Sequence, residues 1–299
     1  GQEIGQGAFT AGAQIAAATL GIPYDWVRIA GPVDTQYSPY EWQTVASRLT
    51  WSMGNAIKLA AGDARHQILA VVAAAWDEDI DDLDIVEGIV VSYKSENETP
   101  LRDLVIYGLP NDDFTEWTGG PIVGRGSFMP TYVTGLDAET GQGERAVVHY
   151  TVGAQGLDIE VDMATGKIEV LKGVAAFDVG KAINPELVEA QIEGGFMQGL
   201  SSAIFEEMQL KEGVMRNPSF VDYRIATAAD VPKVIESIIV EVPQADGPWG
   251  ARGVGEHPMI PTIAALGNAV YDAVGVRLVG PPFSAENVYL AMVDAGVVN

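Results

Sequence analysis

The chain has 299 residues, 47% of them hydrophobic and 19% charged, with 17 Lys and Arg against 41 Asp and Glu for a formal net charge of −24. Such a composition describes a globular protein long enough for one large or two medium domains, and its charge argues against a nucleic-acid partner, which needs basic patches. Cysteine is absent, which excludes disulfides, thiolate zinc sites and any Fe–S cluster ligated by this chain; the three histidines, His66, His149 and His257, do not stand at metal-ligand spacing.

An anionic cofactor is not forbidden by the charge, because backbone N–H groups and helix N-termini hold phosphates without lysines. The longest apolar run, "QILAVVAAAW" at 67–76, is too short to span a bilayer, and no signal peptide is visible, so a cytoplasmic protein is expected. The chain opens on Gly1 and directly on a motif, "GQEIGQG", and reads as part of something larger.

In chain order, "TAGAQIAAATLGIP" (10–23) predicts an Ala-rich helix opened by Thr10 and closed by Gly21 and Pro23. "DWVRIAGP" (25–32) suits a strand. From Trp42 to Trp76 the apolar positions recur at three- and four-residue steps, a long helix expected to break or bend near Gly54 or Gly62. "DEDIDDLDIVEG" reads as an acidic turn before a strand at 88–94, and 95–143 as loops with a short helix. "LDIEVDMATGKIEVLKG" (157–173) alternates as a hairpin turning at "ATGK", with Leu157, Ile159, Val161 and Met163 on one face. A helix over 184–208 with Pro185 in its first turn, a strand at 233–243 and a helix over 258–275 stopped by Gly275 complete the pattern. Strands and helices follow no regular βαβ rhythm, which favours an α+β fold of two interlocked lobes.

Four stretches carry chemistry, and each also has a plain structural explanation. In "GQEIGQG", Gly5 and Gly7 flank Gln6 just before a helix, where a bare backbone lets a ligand approach and the amide offers donor and acceptor; a simple turn explains it as well. "TVASRLTWSMGNA" (44–56) gathers Thr44, Ser47, Arg48 and Thr50 at a helix start, suiting a phosphate or pterin edge or merely capping the helix. "EAQIEGGFMQGL" (189–200) sets Gln191 and Gln198 on one helical face with Gly194 and Gly195 between them, each glycine weakening the helix by roughly 1 kcal/mol. Close packing against another backbone or a cofactor would offset that loss. "GARGVGEHPMIP" puts Glu256 at a loop-to-helix junction, as a complement to the helix dipole or as a general base whose pocket raises its pKa. His257, Trp249 and Arg252 flank it, more in keeping with structural roles than with a substrate entrance.

In this order the stretches resemble those of the molybdenum hydroxylases, the xanthine oxidase and aldehyde oxidoreductase family. The matching motifs read "EIGQG", "TVASR", "NPELVEAQIEGGFMQGL" and "GARGVGE" here, and "VDMATGKIEVLKGVAAFDVGKAINP" (161–185) resembles the family's hairpin into that helix; the likeness runs from 1 to about 290. It implies a molybdopterin-binding lobe over 1–150 and a second lobe over 151–299 carrying the glutamine helix and the catalytic loop. It implies molybdopterin, as the cytosine dinucleotide, with no side chain ligating molybdenum. Gly5, Gln6 and Gly7 would contact the pterin or the metal edge, Ala46 and Ser47 the pterin, Arg48 the pyrophosphate, and Gln191 would hydrogen-bond the cofactor. Glu256 matches the family's catalytic base, which activates the attacking oxygen toward an electron-poor carbon of an N-heterocycle or aldehyde. Electrons then leave through Fe–S clusters to FAD on partner subunits.

The departure from the family is length. The large subunit is normally more than twice as long, and its first half, with most substrate contacts, has no counterpart here. Either that subunit is split, as in nicotinate dehydrogenase, or the chain is a fragment; in both cases the N-terminal half, an Fe–S subunit and an FAD subunit are required partners. The alternatives are a non-catalytic assembly subunit of the same fold and a related aromatic-ring reductase.

Overall fold

A computed structural model describes residues 1–299 apart from 31–33, 37, 39, 42 and 111–114. The chain splits into one unit of Gly1–Val148 with Pro243–Gly253 and another of His149–Val242 with Val254–Asn299.

In the first unit, helix α1 (Ala8–Leu20) is bracketed by glycines: Gly7 at its N-cap with φ 80° and Gly21 at its C-cap with φ 76°. Thr10 therefore lies inside the helix rather than capping it. The stretch 25–32 forms no strand in its described part: a 3-10 turn covers Tyr24–Trp26, and residues 31 and 32 lie outside the described residues. Helix α2 (Leu49–Trp76) starts seven residues later than expected, Trp42 lying outside the described residues, and runs unbroken for 28 residues. Gly54 lies within it, where a Cβ would come 2.7 Å from Pro248 Cγ and 2.9 Å from Ile15 Cδ1. That glycine admits close neighbours.

The acidic stretch holds more than a turn. Strand β1 (Leu83–Val86) pairs with β2 (Ile89–Ser92) across Glu87 and Gly88, at φ 50° and 80°, a two-residue turn with both central residues left-handed. Strand β3 (Glu98–Pro100) extends the sheet, and helix α3 (Leu101–Tyr107) is the short helix expected among the loops, followed by the small pair β4 (Leu109–Pro110) and β5 (Trp117–Thr118). Ile68, Leu69 and Val72 of α2 pack with Leu83, Ile85, Val90, Leu101 and Leu104 as this unit's core. Residues 123–132 then run back along α2. Gln67 donates to the Val123 carbonyl at 3.1 Å, Gly126 lets the backbone pass 2.6 Å from Ala56 O where a Cβ would sit, and Phe128 meets Trp51 edge-on at 4.9 Å.

In the second unit, β6 (Gly153–Val161) and β7 (Ile168–Asp178) form the expected hairpin, with Asp162 accepting from the Ala164 N–H at 2.8 Å inside the turn. Helix α4 (Pro185–Ile204) has Asn184 as its cap, accepting from the Leu187 N–H at 3.0 Å, and ends four residues before Met208. After the small pair β8 (Leu210–Lys211) and β9 (Val214–Met215), strand β10 (Val234–Val240) returns parallel to β7, giving a mixed sheet in the order β10–β7–β6. Helix α5 (Thr262–Val274) begins four residues after Pro258 and ends at Gly275, φ 72°. A further helix, α6 (Ala285–Asp294), was not anticipated. Phe177 from the sheet, Ile192, Phe196 and Leu200 from α4, Leu266 from α5 and Met292 from α6 build one buried core, each worth roughly 1.5–3 kcal/mol in apolar burial. Helices packed on a mixed sheet make the fold α+β.

Candidate functional site

The loop before α1 is organised by Glu3. Glu3 accepts from the N–H groups of Gly5 at 2.9 Å and Gly7 at 3.0 Å with one carboxylate oxygen, and from Phe9 at 3.0 Å with the other. Burial raises its pKa, but the backbone bonds from Phe9, Gly7, Gly5 and Gln6 outweigh that and hold the carboxyl below its ordinary value. Gln6 is held within the same loop, donating to Gln2 O at 2.7 Å and accepting from the Ile4 N–H at 2.6 Å. An amide has two N–H groups and two lone pairs, so one of each remains. Gly5, at φ 103°, has no heavy atom within 4 Å of where a Cβ would be, which leaves the loop's outer face bare. In the sequence Glu3 stands at the head of "EIGQG", an acid four residues ahead of the glycine that opens the helix.

The Gln2 N–H donates to Thr44 Oγ1 at 2.9 Å, joining this loop to the second motif. There Ala46 (φ 58°) and Ser47 (φ 53°) are consecutive non-glycine residues in the left-handed region, a conformation costing about 1–3 kcal/mol each and concentrated at functional sites. They form a turn ahead of α2, and Arg48 is the residue at its N-cap. Arg48 turns toward Glu41, pairing through Nη2 at 2.5 Å, and the same nitrogen donates to the Gln43 carbonyl at 3.0 Å. Segment 243–253 closes against this turn, for a Cβ at Gly253 would overlap the Ser47 carbonyl oxygen. Asp246 fastens that segment: it accepts from Trp51 Nε1 at 3.3 Å, from Gln244 Nε2 at 2.5 Å and from the Tyr132 hydroxyl, while its own carbonyl receives Asn55 Nδ2 at 2.7 Å. The first unit thus brings together the Gly5–Gly7 loop, the 44–48 turn and the "GARG" stretch.

The second unit carries the other candidates. On α4, Gln191 is half-buried and Gln198 exposed, and Gly194 between them has nothing within 4 Å of a Cβ position. The glycines divide in role. Gly195 admits Pro258, 2.6 Å from its would-be Cβ, and Gly199 admits Met259 O and Thr262 Oγ1, each at 2.5 Å. Close backbone packing therefore explains Gly195 and Gly199 and leaves Gly194 as a bare patch beside two amides.

Glu256 precedes the 3-10 turn His257–Met259 and is exposed rather than enclosed in a poorly solvated pocket. Its backbone is well fixed. Gln155 donates to Pro258 O at 2.5 Å and accepts from Thr262 Oγ1 at 2.8 Å, a bridge no motif pointed to. His257 is 8% exposed, meets Phe177 edge-on at 5.2 Å, and has its pKa lowered to about 4 by burial and then by His149, so it is neutral near pH 7. Among the described residues no three His, Cys, Asp or Glu are grouped to hold a metal ion, and no helix is long and apolar enough to cross a membrane.

Comparison with known proteins gives these residues a context. The molybdopterin cofactor-binding domain family matches residues 1–232. The chain is 31% identical over 300 residues to the xanthine dehydrogenase molybdenum-binding subunit of Escherichia coli O157:H7, covering 99% of this chain and 37% of that one. It is 31% identical over 274 residues to the nicotine 6-hydroxylase large subunit of Paenarthrobacter nicotinovorans, covering 90% and 31% respectively. The chain thus spans about a third of the length of these relatives. Among solved structures it is similar to the Cu,Mo-CO dehydrogenase, with a TM-score of 0.82 and 25% identity over all of this chain and 36% of the other. It is likewise similar to the aldehyde oxidoreductase of Desulfovibrio gigas, with a TM-score of 0.75 and 25% identity over 97% and 28%. With the family model matching 232 of its residues and relatives at 31% identity, the chain belongs to the molybdopterin cofactor-binding domain family of the molybdenum hydroxylases.

Proposed function

We propose that this chain is the molybdopterin-holding portion of a molybdenum-dependent oxidoreductase that hydroxylates an electron-poor carbon of an N-heterocycle or an aldehyde with water. The observation that carries the reading is the bare Gly5–Gln6–Gly7 loop joined to the left-handed Ala46–Ser47 turn. A pterin is flat, broad and rimmed with donors and acceptors. The bare backbone at Gly5 fits its face, and the spare N–H and lone pair of Gln6 fit its edge. The bare Gly194 next to Gln191 offers the same combination on α4.

When bound, the molybdenum cofactor, in its cytosine dinucleotide form, supplies oxygen-transfer chemistry and takes up two electrons. This chain's residues position and deprotonate. Gly5, Gln6, Gly7, Ala46 and Ser47 hold the pterin, and Gln191 hydrogen-bonds it. Arg48 presents to the pyrophosphate a guanidinium whose direction is fixed by Glu41. Glu256 accepts a proton at a carboxylate oxygen from the attacking oxygen, a role worth roughly 10²–10⁴ in rate. It is exposed here, and on this reading the remainder of the large subunit covers it and excludes water. Having no cysteine, the chain passes electrons to Fe–S and FAD partners in the cytoplasm.

Metal and pterin analysis of the intact complex, with turnover of a Glu256→Gln variant, tests the reading. A loss of about 10²–10⁴ in turnover with molybdenum retained is expected; full turnover, or a wild-type complex without molybdenum, refutes it. The exposure of Glu256 favours one second reading, a non-catalytic assembly subunit of the same fold. In that case Glu256→Gln would leave every rate unchanged.

A further inference from the structure

We propose that Glu3 is a positioning residue: its carboxylate gathers the N–H groups of Gly5, Gly7 and Phe9 and so sets the shape in which Gln6 meets the cofactor. The inference rests on the reading of the Gly5–Gly7 loop as a cofactor contact.

A helix of 13 residues leaves its first N–H groups without partners, and the usual remedy is a Ser, Thr, Asp or Asn at the N-cap. Here the N-cap is Gly7, which makes no side-chain cap bond. The carboxylate comes from four residues upstream, and the chain wraps round it. Gly5 and Gly7, at φ 103° and 80°, turn their N–H groups inward to one oxygen at 2.9 and 3.0 Å, and Phe9 donates to the other at 3.0 Å. Converging N–H groups of this kind form an anion-binding concavity. Glu3 fills it from inside. The consequence is specific: the start of α1 is closed to a phosphate, and the loop meets its ligand through a neutral amide on its outer side.

Gln6 depends on the same wrapping. Its two bonds, to Gln2 O and from the Ile4 N–H, both lie in the stretch that Glu3 folds over. Without the carboxylate, three donors lose their acceptor and Gln6 loses the geometry that aims its remaining N–H and lone pair. Partners that orient a metal ligand from behind are typically worth roughly 10–100-fold in affinity, and a loss of that order is expected for a residue that orients Gln6.

The test compares wild type, Glu3→Gln and Glu3→Ala in the assembled complex. It reads molybdenum and pterin per chain after dialysis, the Mo(V) EPR signal, and amide exchange of Gly5, Gly7 and Phe9 in the complex stripped of cofactor. Expected are faster exchange at all three amides in Glu3→Ala and at Phe9 in Glu3→Gln, whose amide oxygen still accepts from Gly5 and Gly7, cofactor loss faster by roughly 10-fold or more in Glu3→Ala, and a shifted EPR signal in what remains. Sodium formate is expected to slow that loss in Glu3→Ala by supplying a carboxylate to the N–H groups, with no effect on wild type. Unchanged exchange at the three amides in Glu3→Ala overturns the positioning role whatever the cofactor content. Unchanged retention and EPR signal in variants of a loaded complex overturn it too, as does cofactor loss that formate does not slow. A wild-type complex that holds no molybdopterin refutes the proposed function instead, and the amide exchange still decides whether Glu3 shapes the loop.

Discussion

Replacing Gly194 by alanine and, separately, Gly195 by alanine is expected to move the stability of the second unit in opposite directions, although the two glycines are neighbours on α4. Alanine in a helix interior is favoured over glycine by about 0.5–1 kcal/mol. At Gly194 no heavy atom lies within 4 Å of the new methyl, so the whole gain is kept. At Gly195 the methyl would lie 2.6 Å from Pro258 Cβ and 3.3 Å from Met259 N. Both belong to a turn that the Gln155 bridge holds in place, and overpacking a fixed neighbour costs about 1–3 kcal/mol. The net effect of Gly195→Ala is therefore a loss of roughly 0–2.5 kcal/mol. Gly199→Ala meets Thr262 Oγ1 and Met259 O, both at 2.5 Å, and is expected to be worse. Urea unfolding followed by far-UV circular dichroism gives the differences directly, and each kcal/mol corresponds to about 2–4 °C in Tm for a protein of this size class. A stabilising Gly195→Ala, or a destabilising Gly194→Ala, would refute the packing argument. Gly194→Ala carries a second expectation. It should make the empty chain more stable and yet lower the pterin content of the complex, because its methyl stands on the bare patch beside Gln191.

Asp246→Ala removes the acceptor shared by Trp51, Tyr132 and Gln244, and at about 1.5–3 kcal/mol for a bond to a charged group it should lower stability by at least about 2 kcal/mol in urea unfolding. Burial raises the Asp246 pKa, but the bonds from Tyr132, Gln244 and Trp51 outweigh it and hold the carboxyl below 3.8, while Tyr132 is pushed up to about 12. The Asp246 contribution is therefore present above the unfolded-state pKa and lost as pH falls through the lower folded value, a limb that Asp246→Ala should flatten. His257 has the opposite charge logic. Its pKa is depressed from 6.5 to about 4, so stability is full above the unfolded value, falls as pH drops from 6.5 toward 4, and levels below that; His257→Gln should remove this slope from a pH series of melts. Glu256→Gln, at an exposed position, should leave unfolding within about 0.5 kcal/mol of wild type, so any loss of turnover is chemical.

The sequence by itself determined the elements whose signals are local. Helices α1, α4 and α5, the β6–β7 hairpin and β10 follow from apolar spacing, Gly21, Asn184–Pro185 and Gly275, all of which act within a few residues of themselves. It also determined the family, because motif order is a property of the chain and not of its fold. Tertiary structure decided the rest. Strand β1 hid in an acidic stretch because pairing with β2 across Glu87–Gly88, not composition, makes it a strand. The stretch 25–32 had strand-like residues and, in its described part, no partner to pair with. In the site, Gly194 and Gly195 are the same letter with opposite environments, Arg48 faces Glu41, and Glu3 reaches over its own loop. Each of these depends on which atoms arrive from elsewhere in the chain within about 3 Å, a distance that spacing along a sequence does not encode.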